Sequence, residues 1–89
     1  ISNKSVETEL KKFLKRQAIQ TFEIQSLKDN TRYFYVVSDQ KDRDGYPIIV
    51  SITVWYSERK NKCFRSHTFI SFESFTIYKK LGHLKEFDL

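Results

Sequence analysis

Along residues 5–17 the apolar side chains of Val6, Leu10, Phe13 and Leu14 recur every three or four positions, which lines them up on one stripe of a helix. Ser5 is placed to cap its first turn, Glu7 and Glu9 lie near its positive end, and Lys11, Lys12, Lys15 and Arg16 crowd its negative end. From Ile19 onward the hydrophobic period shortens from about 3.6 residues to about 2, the period of strands. Residues 21–26 alternate, with Phe22 and Ile24 opposed to Thr21, Glu23 and Gln25, and turn residues follow at 28–31. Residues 32–38 set Tyr33, Tyr35 and Val37 against Phe34 and Val36, so both faces are apolar and one of them must find cover in a partner or a ligand. After a polar loop at 39–45, residues 46–57 form the longest predicted strand. It has Ile48, Val50, Ile52, Val54 and Tyr56 on one face and Ile49, Ser51, Thr53 and Trp55 on the other. Pro47, without an amide proton, suits its start.

A basic turn at 58–62 leads to a fourth strand over 63–72 and a short helix over 74–81, with Phe75, Tyr78 and Leu81 on one stripe and Gly82 as its stop. Leu84 and Phe87 then extend the docking of the tail. The pattern therefore predicts one α+β domain over residues 1–89: an N-terminal helix, a four-stranded antiparallel sheet and a C-terminal helix. Both helices are expected on one face, which leaves the other as a dimer or partner surface.

Length and composition narrow this further. A chain of 89 residues has material for one small core, and with 39% hydrophobic and 30% charged residues it is too apolar to be disordered. Its 16 Lys and Arg against 11 Asp and Glu give +5 at pH 7, which favours an anionic partner such as nucleic acid or an acidic membrane surface, although a merely soluble basic protein has the same balance. The single cysteine, Cys63, excludes an intrachain disulfide framework and points to a reducing, intracellular setting, cytoplasmic or nuclear rather than secreted. No apolar run approaches the roughly 20 residues that span a bilayer, and no signal-peptide core is visible. The chain starts at Ile1 rather than Met, which leaves open segments outside it.

Catalytic chemistry needs converging groups. Cys63 and His67 suggest a nucleophile and a base, but four strand residues separate them by roughly 13 Å. His67 and His83 share no metal-ligand spacing. The loop at 40–45 has oxygens at alternate positions before Gly45, yet Lys41 and Arg43 oppose a cation and Ser51 stands where a calcium loop needs a bidentate glutamate, so a hairpin is the better reading. No catalytic residue, metal or cofactor is expected, and the chain reads as a binding protein rather than an enzyme.

What remains is a basic and aromatic constellation. Arg59, Lys60, Lys62 and Arg65 fall within seven residues with no acid between them. The neighbouring strands supply Tyr33, Phe34, Tyr35, Trp55, Tyr56, Phe64 and Phe69. Rings on a sheet with flanking cations suit a single strand of DNA or RNA, because bases stack on the rings while Lys and Arg neutralise phosphates. The alternative is a protein-interaction surface, in an inhibitor or an assembly subunit, that uses the same rings as an apolar hot spot.

From Thr21 to the C-terminus the chain resembles the single-stranded-DNA-binding superfamily of the positive cofactor four coactivators, the PUR repeats and the Whirly proteins. The residues that carry the likeness are Phe22-Glu23-Ile24, the run from Arg32 to Val37, the loop through Gly45, the strand from Ile48 to Tyr56 with its terminal aromatic pair, the basic turn, and Ile70-Ser71-Phe72 leading into a helix. Thr53 departs from the pattern, standing where the coactivators tend to have a basic residue, and the helix over 5–17 has no counterpart in the family core. The resemblance implies a homodimer with nucleic acid laid across the sheets, and places Lys41, Arg43, Tyr46, Trp55, Tyr56, Arg59, Lys60 and Lys62 near the strand. With Arg65, Tyr33 and Tyr35 these make the candidate site. The segment from Ile70 to Phe75 with Ile77 and Leu81 is also similar to the helix entry of phosphoinositide-binding PX domains, which ranks a membrane surface third. The element order also fits a signal-recognition-particle Alu-binding type of fold, which again implies RNA.

Overall fold

The computed structural model describes residues 1–14, 18–25 and 30–88. Its elements run α1 (Asn3–Leu14), β1 (Ala18–Ile24), β2 (Thr31–Lys41), β3 (Pro47–Ser57), β4 (Lys62–Ile70), α2 (Phe72–Lys80) and β5 (Leu84–Glu86). The fold is α+β with an antiparallel sheet between an N-terminal and a C-terminal helix, but the sheet has five strands rather than four, in the order β4-β3-β2-β1-β5. The fifth strand is the tail itself: Leu84, Lys85 and Glu86 pair with Ile24, Glu23 and Phe22 on the outer side of β1. Three residues are too few to show an alternating pattern, so this strand exists because β1 offers an unpaired edge.

Residues paired across antiparallel strands share a face, and the two faces follow from the register. On the first, rows run Arg32–Val54–Arg65, Phe34–Ile52–His67 and Val36–Val50–Phe69. On the second they run Thr31–Trp55–Phe64, Tyr33–Thr53–Ser66, Tyr35–Ser51–Thr68 and Val37–Ile49–Ile70. Helix α1 covers the first face, burying Val6, Leu10 and Leu14 against Phe34, Val36, Val50, Ile52 and Val54. Helix α2 covers part of the second, where Phe75 packs with Phe22 and Ile49 beside Tyr35, Val37, Ile70, Phe72 and Leu84. The helices thus lie on opposite faces, contrary to the expectation of one shared face. The physical reason is the double-sided apolar character of β2 and the start of β3, which each need cover on both sides.

Local chemistry sets the helix ends. Helix α1 starts earlier than expected because Ser2, not Ser5, supplies the cap: its Oγ accepts the Ser5 amide at 3.2 Å. The expected helix continuation over 15–17, the last residue of the expected 21–26 strand and the first half of the expected 28–31 turn lie outside the described residues, and Thr31 already belongs to β2. The fourth strand stops at Ile70, short of Phe72, because Ser71 caps α2 by accepting the Ser74 amide at 3.1 Å. Helix α2 ends with Gly82 at φ +77°, the Gly82 amide bonded to the Lys79 carbonyl and the His83 amide to that of Tyr78, the double closure of a Schellman motif. Phe75 is buried, but Leu81, expected on the same stripe, is 61% exposed.

The C-terminal tail is tied to the first face. Phe87 donates its amide to the Thr21 carbonyl at 2.9 Å and sets its ring 5.1 Å from that of Phe34. Arg32 fastens three segments at once. Its guanidinium donates to both Glu23 carboxylate oxygens at 2.6 and 2.7 Å and to Asn3 Oδ1 at 2.6 Å, and it lies over the Phe34 and Phe87 rings. Among the described residues no helix is long and apolar enough to cross a membrane.

Candidate nucleic-acid interface

The β3–β4 hairpin builds the densest part of the site. A four-residue turn at 58–61, with Asn61 at φ +52°, pairs Ser57 with Lys62 and therefore puts Trp55 directly across from Phe64. The two rings stack with centroids 5.9 Å apart and planes 21° from parallel. Two ammonium groups sit over the same phenyl ring, Lys60 at 5.4 Å and Lys62 at 4.9 Å from its centroid. Cation–π attraction holds the cations beside the stack while leaving both lysines exposed to solvent.

This cluster lies on the second face, at the end that α2 leaves open. Along that face the floor continues through Tyr33, Thr53 and Ser66 and then Ser51 and Thr68, half-buried or exposed throughout. Hydroxyl groups beside rings and cations offer hydrogen bonds, stacking and charge to one extended ligand. The Tyr56 hydroxyl donates to Asn61 Oδ1 and the Lys60 amide to Ser57 Oγ at 3.3 Å, so the turn that carries the cations is braced from within.

The eleven candidate residues do not form one patch. Trp55, Lys60 and Lys62 come together, with Tyr33 on the adjoining row and Arg59 exposed in the same turn. Tyr56 and Arg65 belong to the opposite face, where Arg65 lies 3.8 Å from the Glu9 carboxylate of α1. Tyr35 is on the right face but under α2, edge-on to Phe75 and stacked on Tyr78 at 5.8 Å. Burial and the neighbouring Tyr78 hold its phenol above the ordinary tyrosine value. Lys41, Arg43 and Tyr46 sit in the β2–β3 hairpin, at the far end of the eleven-residue β3 and so roughly 35 Å from the basic turn. Tyr46 stacks on Phe72 at 5.2 Å instead. In that hairpin Asp42 Oδ1 accepts the Asp44 and Tyr46 amides at 2.9 Å each, the turn chemistry expected of a hairpin.

Phe64 completes the stack yet stood outside the candidate set. The length of the turn was its signal, because a four-residue loop fixes which residue of β4 faces Trp55. Elsewhere, Cys63 and His67 lie two rows apart beside Glu9 in a shallow depression, and among the described residues no three His, Cys, Asp or Glu side chains are grouped to hold a metal ion.

In comparison with known proteins, no family model, no curated protein and no solved structure matches the chain.

Proposed function

We propose that the chain binds single-stranded DNA or RNA without catalysis, on the open end of the sheet face that carries Trp55 and Phe64. The observation that carries this reading is the Trp55–Phe64 stack with two lysine ammonium groups held over it on an exposed sheet. A base stacks on a ring for about 1 to 3 kcal/mol whatever its identity, and Lys60, Lys62 and Arg59 are placed to meet the phosphates between stacked bases. Single strands are favoured over duplex because only unpaired bases present their faces to a flat platform. The net charge of +5 attracts the polyanion from a distance. A reducing intracellular compartment fits the unpaired thiol of Cys63.

Fluorescence anisotropy of labelled single-stranded DNA, RNA and duplex, titrated with the protein at low and physiological salt, tests the reading. Salt-sensitive binding with a single-strand preference is expected. Trp55→Ala and the pair Lys60→Ala/Lys62→Ala should each weaken it at least about tenfold. Removing equal charge from α1 on the other face, by Lys4→Ala/Lys11→Ala, should change it little. Binding that survives loss of Trp55, Lys60 and Lys62 together would refute the assignment. An absence of binding even at low salt would transfer the aromatic face to a protein partner, whose affinity would be nearly indifferent to salt.

A further inference from the structure

Strand β4 is the edge of the sheet, with β3 on one side and no strand on the other among the described residues. Long regular edges are normally blunted by proline, bulges, short length or charged side chains, and of these devices β4 carries only the charges of Lys62 and Arg65. This edge is nine residues long, contains no proline, keeps an unbroken register with β3, and has five consecutive exposed residues from Arg65 to Phe69. Its C-terminal end adjoins an open cleft of about 910 Å³ whose apolar lining includes Tyr46, Ile48, Phe69 and Ile77. Phe69 is 68% exposed, and Tyr46 and Ile77 52% each. The cleft carries the carboxylates of Asp42, Asp44 and Glu73 against a single cation, Lys80. The other end of the same strand carries Arg59, Lys60 and Lys62. One edge therefore has a basic end and an apolar cleft lined by three carboxylates and one cation, with Lys41 and Arg43 exposed in the adjoining β2–β3 hairpin.

We propose that β4 is the interface between two copies of this chain, paired antiparallel about a two-fold axis at Ser66, so that each copy's basic turn meets the other's carboxylate-lined cleft. A two-fold contact uses the same patch twice and closes, and antiparallel pairing is the arrangement that sets the basic end of β4 beside the cleft of its copy. The register follows from charge and bulk. A centre at Arg65 would oppose two guanidinium groups. A centre at Ser66 places Arg65 across from His67, Phe69 across from Cys63, and Lys62 across from Ile70, which carries Arg59 toward Glu73 of the other copy. Backbone pairing then satisfies the free edge while Phe69 gains cover. Resting on the nucleic-acid reading, one consequence is that the two Trp55–Phe64 stacks share one face of a continuous sheet, their Phe64 residues offset by about 13 Å along the strand.

Sedimentation equilibrium of the full chain without nucleic acid, together with disulfide trapping, tests the interface. A dimer is expected. Ser66→Cys in a Cys63→Ser background should be trapped by mild oxidation as a covalent dimer, since that position faces itself across the axis. Phe69→Lys should raise the dimer dissociation constant at least about tenfold. Arg59→Glu and Glu73→Lys should each weaken the dimer, and the two changes together should restore it, because the swap rebuilds the pair with reversed sign. Arg59, Ser66, Phe69 and Glu73 are exposed and Cys63→Ser is a near-isosteric change, so circular dichroism should show the fold intact in each variant. A chain that stays monomeric at about 1 mM, a dimer that Ser66→Cys does not trap, or a double variant no better than the singles would overturn the proposal. Nucleic acid takes no part in these readouts. A dimer that ignores oligonucleotides would overturn only the binding reading, and a monomer that binds them only the interface.

Discussion

At the scale of single residues, Tyr35 shows how one face of a strand can be both aromatic and unavailable. Its ring is held between Phe75 and Tyr78, and burial disfavours the phenolate, so its folded pKa is raised above the ordinary value near 10. A group whose pKa is raised by folding contributes stability that is complete below its unfolded pKa and is lost as pH rises through the folded one. The protein should therefore lose stability above about pH 10, and Tyr35→Phe should flatten that loss. Chemical denaturation of both proteins between pH 8 and pH 11 checks this, and identical slopes would show that Tyr35 is not the group responsible. Arg32 illustrates a different kind of residue: a surplus cation that is spent on structure. Its contacts with Glu23 raise its own pKa further and leave it charged at every accessible pH, so it belongs to the fold and not to the field that attracts a ligand.

At the scale of elements, helix α2 decides how much of the second sheet face is open. It is only nine residues long, too short to be stable alone. It depends on the Ser71 cap, the Gly82 closure and the burial of Phe75. Gly82 has open space around it, so an added methyl would clash with nothing, and its cost is purely conformational. Gly82→Ala should destabilise the protein by about 1 kcal/mol, measured as a shift in the urea midpoint at unchanged slope. No shift would mean that α2 ends differently in solution. The β3–β4 hairpin works the other way. Its four-residue turn aligns Trp55 with Phe64 and brings Lys60 and Lys62 over the Phe64 ring, so one tight connection assembles the cluster.

For the whole molecule, the two ends of β3 and β4 differ in charge: the β3–β4 turn has three cations, Arg59, Lys60 and Lys62, to one acid, Glu58, whereas Asp42, Asp44 and Glu73 at the other end mix with Lys41, Arg43 and Lys80. Three cations reaching phosphates imply a slope of about −2 for the logarithm of affinity against the logarithm of salt concentration on a single strand. A slope near zero would point to stacking alone, and a much steeper one to cations beyond this turn or to both copies of a dimer acting on one strand.

The change of period at Ile19, the strand patterns and the Gly82 stop were legible in the sequence because local backbone preferences and alternation act over a few residues. So were the amphipathic α1 stripe and the core positions Phe34, Val36, Val50, Ile52 and Val54, all buried as their spacing implied. The basic turn beside an aromatic strand was legible too. What the sequence alone left undecided depended on contacts between distant segments. The three-residue β5 forms only because β1 has an edge to offer. The helices divide between faces because the apolar rows of β2 and β3 need cover on both sides. Alternation told which side chains share a face but not which face stays open, and so could not separate Trp55 and Phe64 from Tyr35 beneath α2 or from Tyr56 and Arg65 behind the sheet. Linear order also hid that Lys41 and Arg43 lie a full strand length from Lys60 and Lys62. Composition and period determined an α+β chain with a basic, aromatic surface; register, helix placement and the free edge of β4 came only from tertiary structure, because each is settled by competition among surfaces that meet only after the chain has folded.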